Sequence, residues 1–251
     1  MINVVIPMAG RGSRFARQGY TIPKPLIDVL GTPMIELVSD NVRPACEHRF
    51  VYLCLQEHIE KYNLRRELER ISPGCVIVPV DHVTEGAACT VLLAKDYINN
   101  DDAMMIANSD QYVDISIDTY IAAMGEDDGL IMTMTASEDK WSYIAFAADR
   151  HVTMVREKEV ISSEATVGIY NFAHGSDYVR FAEEMIARDM RVKGEFYVAP
   201  VYNLMIEAGK KIGFYNIGSD GNGMYGLGIP EDLQAFLKSD MAERIRQERS
   251  R

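Results

Sequence analysis

Several stretches of this chain carry side chains whose types and spacing suit phosphate chemistry. Pro7-Met-Ala9-Gly10-Arg11-Gly12-Ser13-Arg14-Phe15 follows the apolar run Ile2 to Ile6, so its glycines fall where the chain leaves a strand. In such a loop successive backbone N–H groups can turn inward on an oxyanion. Ala9, Gly10, Arg11, Gly12 and Ser13 are the candidate cradle, and Arg14 and Lys24, the latter within Pro23-Lys24-Pro25, add fixed positive charge. The loop is not a dinucleotide fingerprint, because Phe15 stands where a third glycine belongs and Gln18-Gly-Tyr-Thr-Ile-Pro-Lys-Pro shows no helical pattern. Nor does a Gly-Lys-Ser/Thr close it, as a P-loop requires.

Carboxylates come next. The apolar run Ala103-Met-Met-Ile-Ala107 ends abruptly at Asn108-Ser-Asp110, which places Asp110 at a strand tip. A hard carboxylate oxygen there suits Mg²⁺, which keeps its other positions for water and phosphate oxygens; a turn or capping aspartate is the competing reading. Asp114 reads as a cap for the helix that follows. Asp81-His-Val-Thr-Glu-Gly86-Ala is a loop opening a helix whose small residues allow close approach. Arg156-Glu157-Lys158-Glu159 offers a carboxylate and an ammonium side by side, or else a solvated charge run. Asp220 sits in Gly218-Ser-Asp-Gly-Asn-Gly223, where a turn role competes with metal binding. Trp141 and Tyr143 read as cavity walls or as core.

The elements that must hold these groups alternate through the first half. Strands are predicted over 2–7, 50–56, 75–80 and 103–107, and helices over 33–42, 57–70, 86–97 and 116–124. That is the pattern of an α/β fold with a doubly wound, mostly parallel sheet, whose ligands collect at the carboxyl ends of the strands. From Gly129 to Phe172 the runs 130–135, 143–146, 152–155 and 166–172 lie close together, which predicts an inserted region of mixed or antiparallel strands. Helices return over 176–189, 199–209 and 231–247. The last carries Arg244, Arg246, Arg249 and Arg251, a solvated basic end that suits the helix dipole.

With 251 residues, 47% of them hydrophobic, the chain can bury a sizeable core, and with no repeat, low-complexity tract or linker it reads as one domain. A net charge of −11 argues against nonspecific nucleic-acid binding, so any polyanionic ligand must find a local basic site. Cys46, Cys54, Cys75 and Cys89 show neither a C-x-x-C pair nor zinc spacing, and read as reduced thiols in a cytoplasmic setting. No signal-peptide pattern and no run of about 18 apolar residues occurs, so no membrane span or export is expected.

Gly10-x-Gly-Ser-Arg14, followed by Pro23-Lys24-Pro25-Leu-x-x-Val-x-Gly31-x-Pro33-Met-Ile35, resembles the nucleotidyltransferase superfamily of nucleotide-sugar synthesis. That superfamily includes sugar-phosphate nucleotidyltransferases and the small cytidylyltransferases of capsule and lipopolysaccharide pathways. Glu157-Lys158, Ala165 to Phe172, Gly194-Glu195-Phe-Tyr197 and Tyr225 to Leu233 resemble its later segments, so the likeness spans nearly the whole chain. It implies a Rossmann-like nucleotidyltransferase fold, 1–251, with a nucleotide-binding half 1–125 and an acceptor-binding half 126–251. It also implies Mg²⁺-dependent transfer of a nucleotidyl group from a nucleoside triphosphate to a small phosphorylated acceptor, releasing pyrophosphate. In these terms Arg14 and Lys24 are catalytic and Asp110 holds the metal. Asp81 and Gly86 lie where the base is read, and Glu157, Lys158 and Gly168 face the acceptor.

The chain departs from the resemblance in three places. Gly226 stands where many members have a second metal-binding aspartate, which leaves Asp220 as the nearest substitute. Glu159 replaces a frequent proline, so the acceptor stays unidentified. Asp81 replaces a frequent glutamine. An ionised Asp only accepts, and cytosine offers an N4 amino donor where uracil and thymine flank N3–H with carbonyls, so CTP is favoured over UTP or dTTP, with guanine, which has two adjacent donors on its pairing edge, the competing base. A glycosyltransferase is a competing class, but Asn108-Ser-Asp110 is not the Asp-x-Asp it usually carries. A non-catalytic regulatory relative is another, and the presence of both Arg14 and Lys24 counts against it. Whether the chain forms a homo-oligomer stays open.

Overall fold

Alternate residues of the first strands enter different cores. Along Ile2–Pro7, Val4 and Ile6 face one side and Val5 the other; along His48–Leu55, Phe50, Tyr52 and Cys54 oppose Val51, Leu53 and Leu55. Strands covered on both faces need apolar residues at every position, which is why these runs are continuous and not alternating. The computed structural model describes residues 1–249, so Arg251 of the basic cluster lies outside the described residues.

One sheet of eleven strands organises the chain. Val76–Val80, His48–Leu55, Ile2–Pro7 and Ala103–Ala107 lie side by side and parallel. Glu164–Phe172 then runs antiparallel to Ala103–Ala107 and to Gly129–Thr135, and Ile212–Asp220 runs parallel to the latter. Gly223–Gly226 and Gln111–Val113 complete the far edge. The hairpin Ser142–Phe146 with Val152–Glu157 joins through Ala165 opposite Tyr143, giving the mixed region that the sequence predicts. Helices Ala87–Leu92, Gly175–Ala187 and Val201–Glu207 pack on one face, and Met34–Asn41, Leu64–Ile71 and Ile117–Ala122 on the other, so the α/β sheet is doubly wound.

Three predicted helices are broken. Asn63 adopts a left-handed conformation (φ 51°) that splits 57–70 into Gln56–Lys61 and Leu64–Ile71. The 86–97 segment divides into Ala87–Leu92 and Lys95–Ile98, and 231–247 into Pro230–Leu237 and Asp240–Arg249, with the Ser239 hydroxyl accepting from Ala242 N at 3.2 Å. Asp220 is the last residue of a strand and not part of a free loop. The strands Ile212–Asp220, Gly223–Gly226 and Gln111–Val113 have no strong pattern of their own; each becomes a strand by docking on a neighbour.

A third, smaller core explains the loop at the N-terminus. Gly12 is followed by a short helix, Ser13–Arg17, which ends before the irregular segment that begins at Gln18. Phe15, at 1% exposure, packs edge-on against Tyr20 at 5.1 Å and joins Ile27, Met34, Tyr225, Leu233 and Phe236. A glycine at this place would leave the loop unanchored. The C-terminal arginines are not simply solvated, since Arg244 pairs with Asp114 at 2.7 Å and Arg249 donates to Leu30 O at 3.1 Å, clasping the last helix to the first half. Asp114 therefore holds this helix and does not cap the one after it. No helix among the described residues is long and apolar enough to cross a membrane. All four cysteines are free.

Candidate active site

Lys24 begins a short turn, Lys24–Leu26, locked between Pro23 and the buried Pro25. Its Nζ donates to Asp110 Oδ2 at 2.6 Å, joining two motifs 86 residues apart. Asp110 is held by its backbone: Leu227 N donates to Asp110 O at 2.8 Å, and two residues earlier Asn108 N donates to Gly168 O at 3.1 Å. A side chain at Gly228 would put its Cβ 2.6 Å from Asp110 Oδ2, so the missing Cβ is what leaves the carboxylate room. Asp110 opens into a cavity of about 420 Å³ with Arg14, Gln111, Lys140, Trp141, Lys158 and Asp232 among its walls. Arg14, Lys140 and Lys158 make this a basic site on an acidic protein.

A second cavity, of about 220 Å³, lies against the N-terminal loop and is lined by Pro7, Ala9, Gly10, Val83, Thr84, Gly86, Ala87, Thr90 and Glu195. Gly86 has φ 137°, and a Cβ there would sit 2.3 Å from Phe196 O. Only glycine lets the loop cross Phe196 this closely. Phe196 N donates to Glu85 O at 2.8 Å, and Ala88 N to Phe196 O at 3.1 Å, fixing the crossing. Thr84 and Thr90 join hydroxyls at 2.6 Å on the wall. Of the predicted loop residues, Ala9 and Gly10 line this cavity, Gly12 precedes the helix, and Arg11 and Ser13 are exposed outside it. Asp81 is also exposed and is not among its walls.

The third cavity, about 270 Å³, contains Glu157, Gly168, Ser142, Thr166, Tyr170 and Tyr197. Gly168 (φ 83°) faces the Asn108 amide, which would lie 1.9 Å from a Cβ at that position. Glu157 accepts from the Ser142 hydroxyl, and burial raises its carboxyl above the usual range, opposed by that bond and by Lys158. Lys158 donates to the Tyr197 hydroxyl, which holds its ammonium above the ordinary value, and it opens into the central cavity. Trp141 lines both cavities, whereas Tyr143 is fully buried and donates to Glu138 O at 2.7 Å, so it belongs to the core.

Asp220 lies in an adjoining recess with Asp232 and approaches Lys140 at 3.7 Å. Asp232, which the sequence marks only as part of the Tyr225 to Leu233 likeness and not as a ligand, reaches both that recess and the cavity of Asp110. Partial burial and Asp220 push its carboxyl up, against Lys140 and Arg14. Thr84, Thr90, Asn108, Gln111, Lys140 and Ser142 were likewise without a sequence signal of their own; only Asn108 and Gln111 stood beside one, at Asp110.

Fold and site together define an α/β protein in which the aspartate of a lysine–aspartate pair lines a central cavity that shares Asn108, Lys140 and Trp141 with a neighbouring one. Residues 3–199 match the nucleotidyl transferase model, and the chain belongs to the nucleotidyl transferase family. It is 22% identical over 215 residues to the bifunctional protein GlmU of Methanococcus maripaludis, covering 83% of this chain and 48% of that protein. The chain thus spans about half the length of the curated relatives it matches. A nucleoside-diphosphate-sugar pyrophosphorylase from Vibrio cholerae superposes with a TM-score of 0.81 at 25% identity, covering 94% of this chain and all of that one. A UDP-glucose pyrophosphorylase complexed with UDP-glucose shares the fold at TM-score 0.77 and 16% identity, over 99% of this chain and 100% of its own.

Proposed function

We propose that this protein transfers a nucleotidyl group from a nucleoside triphosphate to a small phosphorylated acceptor and releases pyrophosphate. The observation that carries this reading is the Lys24–Asp110 pair, whose carboxylate lines a central cavity that shares Asn108, Lys140 and Trp141 with the cavity of Glu157 and Gly168. The acceptor's phosphate oxygen forms a bond to the α-phosphorus, and the bond to the bridging oxygen breaks, pyrophosphate leaving with its electron pair. A phosphate is already an anion at neutral pH, so no protein nucleophile or base is needed. What the protein must supply is position and positive charge. Arg14 clamps the leaving phosphates with its forked donors, and Lys24 places a compact charge at the α-phosphoryl group. Glu157 accepts from hydroxyl or amine groups of the acceptor, while Lys158 faces its phosphate.

The donor set fits Mg²⁺: a hard carboxylate at Asp110, room beside it at Gly228, and a second carboxylate at Asp232 or Asp220. Held by these residues, Mg²⁺ would supply positive charge to offset that of the triphosphate. CTP is the favoured triphosphate, and surface-polysaccharide precursor synthesis in the cytoplasm the favoured setting; the four free thiols suit a reducing compartment.

Incubating the protein with Mg²⁺, each triphosphate and a panel of phosphorylated acceptors, then measuring pyrophosphate, tests the reaction. In competition, kcat/KM for CTP exceeds that for UTP, dTTP or GTP by about tenfold or more, because a wrong base leaves buried polar groups unpaired. Asp81 stands outside the cavity walls, so Asp81→Gln is expected to leave that margin unchanged. A larger kcat/KM for UTP or GTP sinks the cytosine reading and leaves the transferase reading standing, and an altered preference in Asp81→Gln would return Asp81 to the base site.

Glu157 gives the acceptor step a pH signature. The ionised carboxylate accepts from acceptor hydroxyls more strongly than the protonated acid, and its raised pKa means that the charge is lost at a higher pH than for an ordinary carboxylate. As pH falls, kcat/KM for the phosphorylated acceptor therefore declines on an acid limb that begins above the usual carboxylate range. Glu157→Gln removes that limb. An identical limb in the variant would assign it to another group.

A further inference from the structure

The attacking phosphate must sit where the acceptor cavity opens into the central one, and Asn108, Lys140 and Trp141 are the residues common to both sets of walls. Lys140 is the cation among them. Its Nζ lies 2.9 Å from Glu138 Oε2 and 3.7 Å from Asp220 Oδ2, with the Trp141 ring 4.8 Å away. Both carboxylate partners are at least half exposed, at 62% and 50%, and exposed pairs of this kind are held loosely. The ammonium can exchange them for a phosphate at little cost.

A second group points to the same ligand. Gln111 is 6% exposed, next to Asp110, and lines the central cavity. Its Oε1 accepts from Asn108 Nδ2 at 3.4 Å, which leaves Nε2 as a buried donor with no partner among the described residues. Buried donors are rarely left unpaired, and a phosphate oxygen is the acceptor that this cavity would receive. Lys140 lines the acceptor cavity and the central one, Gln111 lines the central one, and neither lines the cavity beside the N-terminal loop.

We propose that Lys140 and Gln111 form the seat of the acceptor's attacking phosphate, Lys140 by leaving Glu138 and Asp220, and Gln111 by its free amide N–H. This rests on the transferase reading. The two residues bind and orient the nucleophilic oxygen; Lys158 approaches the same phosphate from the Tyr197 side.

The full chain carries one tryptophan, Trp141, so its emission reports on this junction. Glucose 1-phosphate, phosphocholine and inorganic phosphate are titrated against the wild type, Lys140→Met, Lys140→Arg and Gln111→Met, with calorimetry in parallel. Each Met variant is expected to raise the half-saturating concentration of any probe that binds by about tenfold, the scale of one charge-assisted hydrogen bond, while Lys140→Arg stays near wild type. In turnover, KM for the acceptor rises while KM for CTP stays within about threefold of wild type. Unchanged probe binding in both Met variants overturns the proposal, as does an equal loss of CTP affinity. So does a wild type that binds none of the probes below about 10 mM. If the wild type binds a probe but releases no pyrophosphate with any triphosphate, the transferase reading fails while the phosphate seat is still decided by the titration.

Discussion

Asp110→Asn is expected to abolish Mg²⁺-dependent pyrophosphate release while the protein folds normally. The amide keeps the shape of the side chain and its backbone bond to Leu227, but it removes the anionic oxygen that a hard cation requires. Turnover should fall to less than about one hundredth of wild type, and calorimetric Mn²⁺ or Mg²⁺ binding in the presence of a triphosphate should be lost with it. Wild-type turnover in Asp110→Asn would remove Asp110 from the metal site. The second carboxylate is separated by the same pair of assays: a large loss in Asp220→Asn or in Asp232→Asn identifies it, and full activity in both means that Asp110 alone suffices. Asp232 opens into the Asp110 cavity and Asp220 only into the adjoining recess, so the larger loss is expected in Asp232→Asn.

Lys24→Ala and Arg14→Ala are each expected to lower turnover by at least about a hundredfold, the scale for removing one charge aimed at a transition state. The two differ in their effect on the resting protein. Arg14 is exposed, so its loss should leave thermal stability unchanged. Lys24 and Asp110 are mostly covered, at 19% and 26% side-chain exposure, so Lys24→Ala leaves a partly buried carboxylate unpaired and should also lower the melting temperature. Lys24→Ala combined with Asp110→Asn should then be more stable than Lys24→Ala alone, the non-additivity expected of groups in direct contact. Near-wild-type pyrophosphate release by folded Lys24→Ala with every active substrate would falsify the role assigned to it.

The pairing of Lys24 with Asp110 was legible only as two separate motifs. Each lies next to a short-range rule, the proline-bracketed turn for one and the end of an apolar strand for the other, and neither rule refers to the other. Asp81 shows the opposite case: a position that attracts notice by its chemistry stands exposed beyond the cavity walls, while Thr84 and Thr90, without any distinguishing pattern, supply the hydroxyls there. Lys140 and Gln111 gave no signal because an isolated lysine and glutamine acquire meaning only from what surrounds them.

The sequence by itself determined the doubly wound half of the fold, since strands buried on both faces demand continuous apolar runs, and it determined the glycine loop with its two cations and the strand-tip aspartate, since these depend on neighbours close along the chain. Only the tertiary structure decided that Asp220 ends a strand, that Phe15 anchors the loop in a third core, that Asp232 reaches the Asp110 cavity, and that Lys140 stands between two cavities. Those features arise from contacts between residues far apart in sequence. Local propensity and periodicity carry no information about such contacts until the sheet has closed.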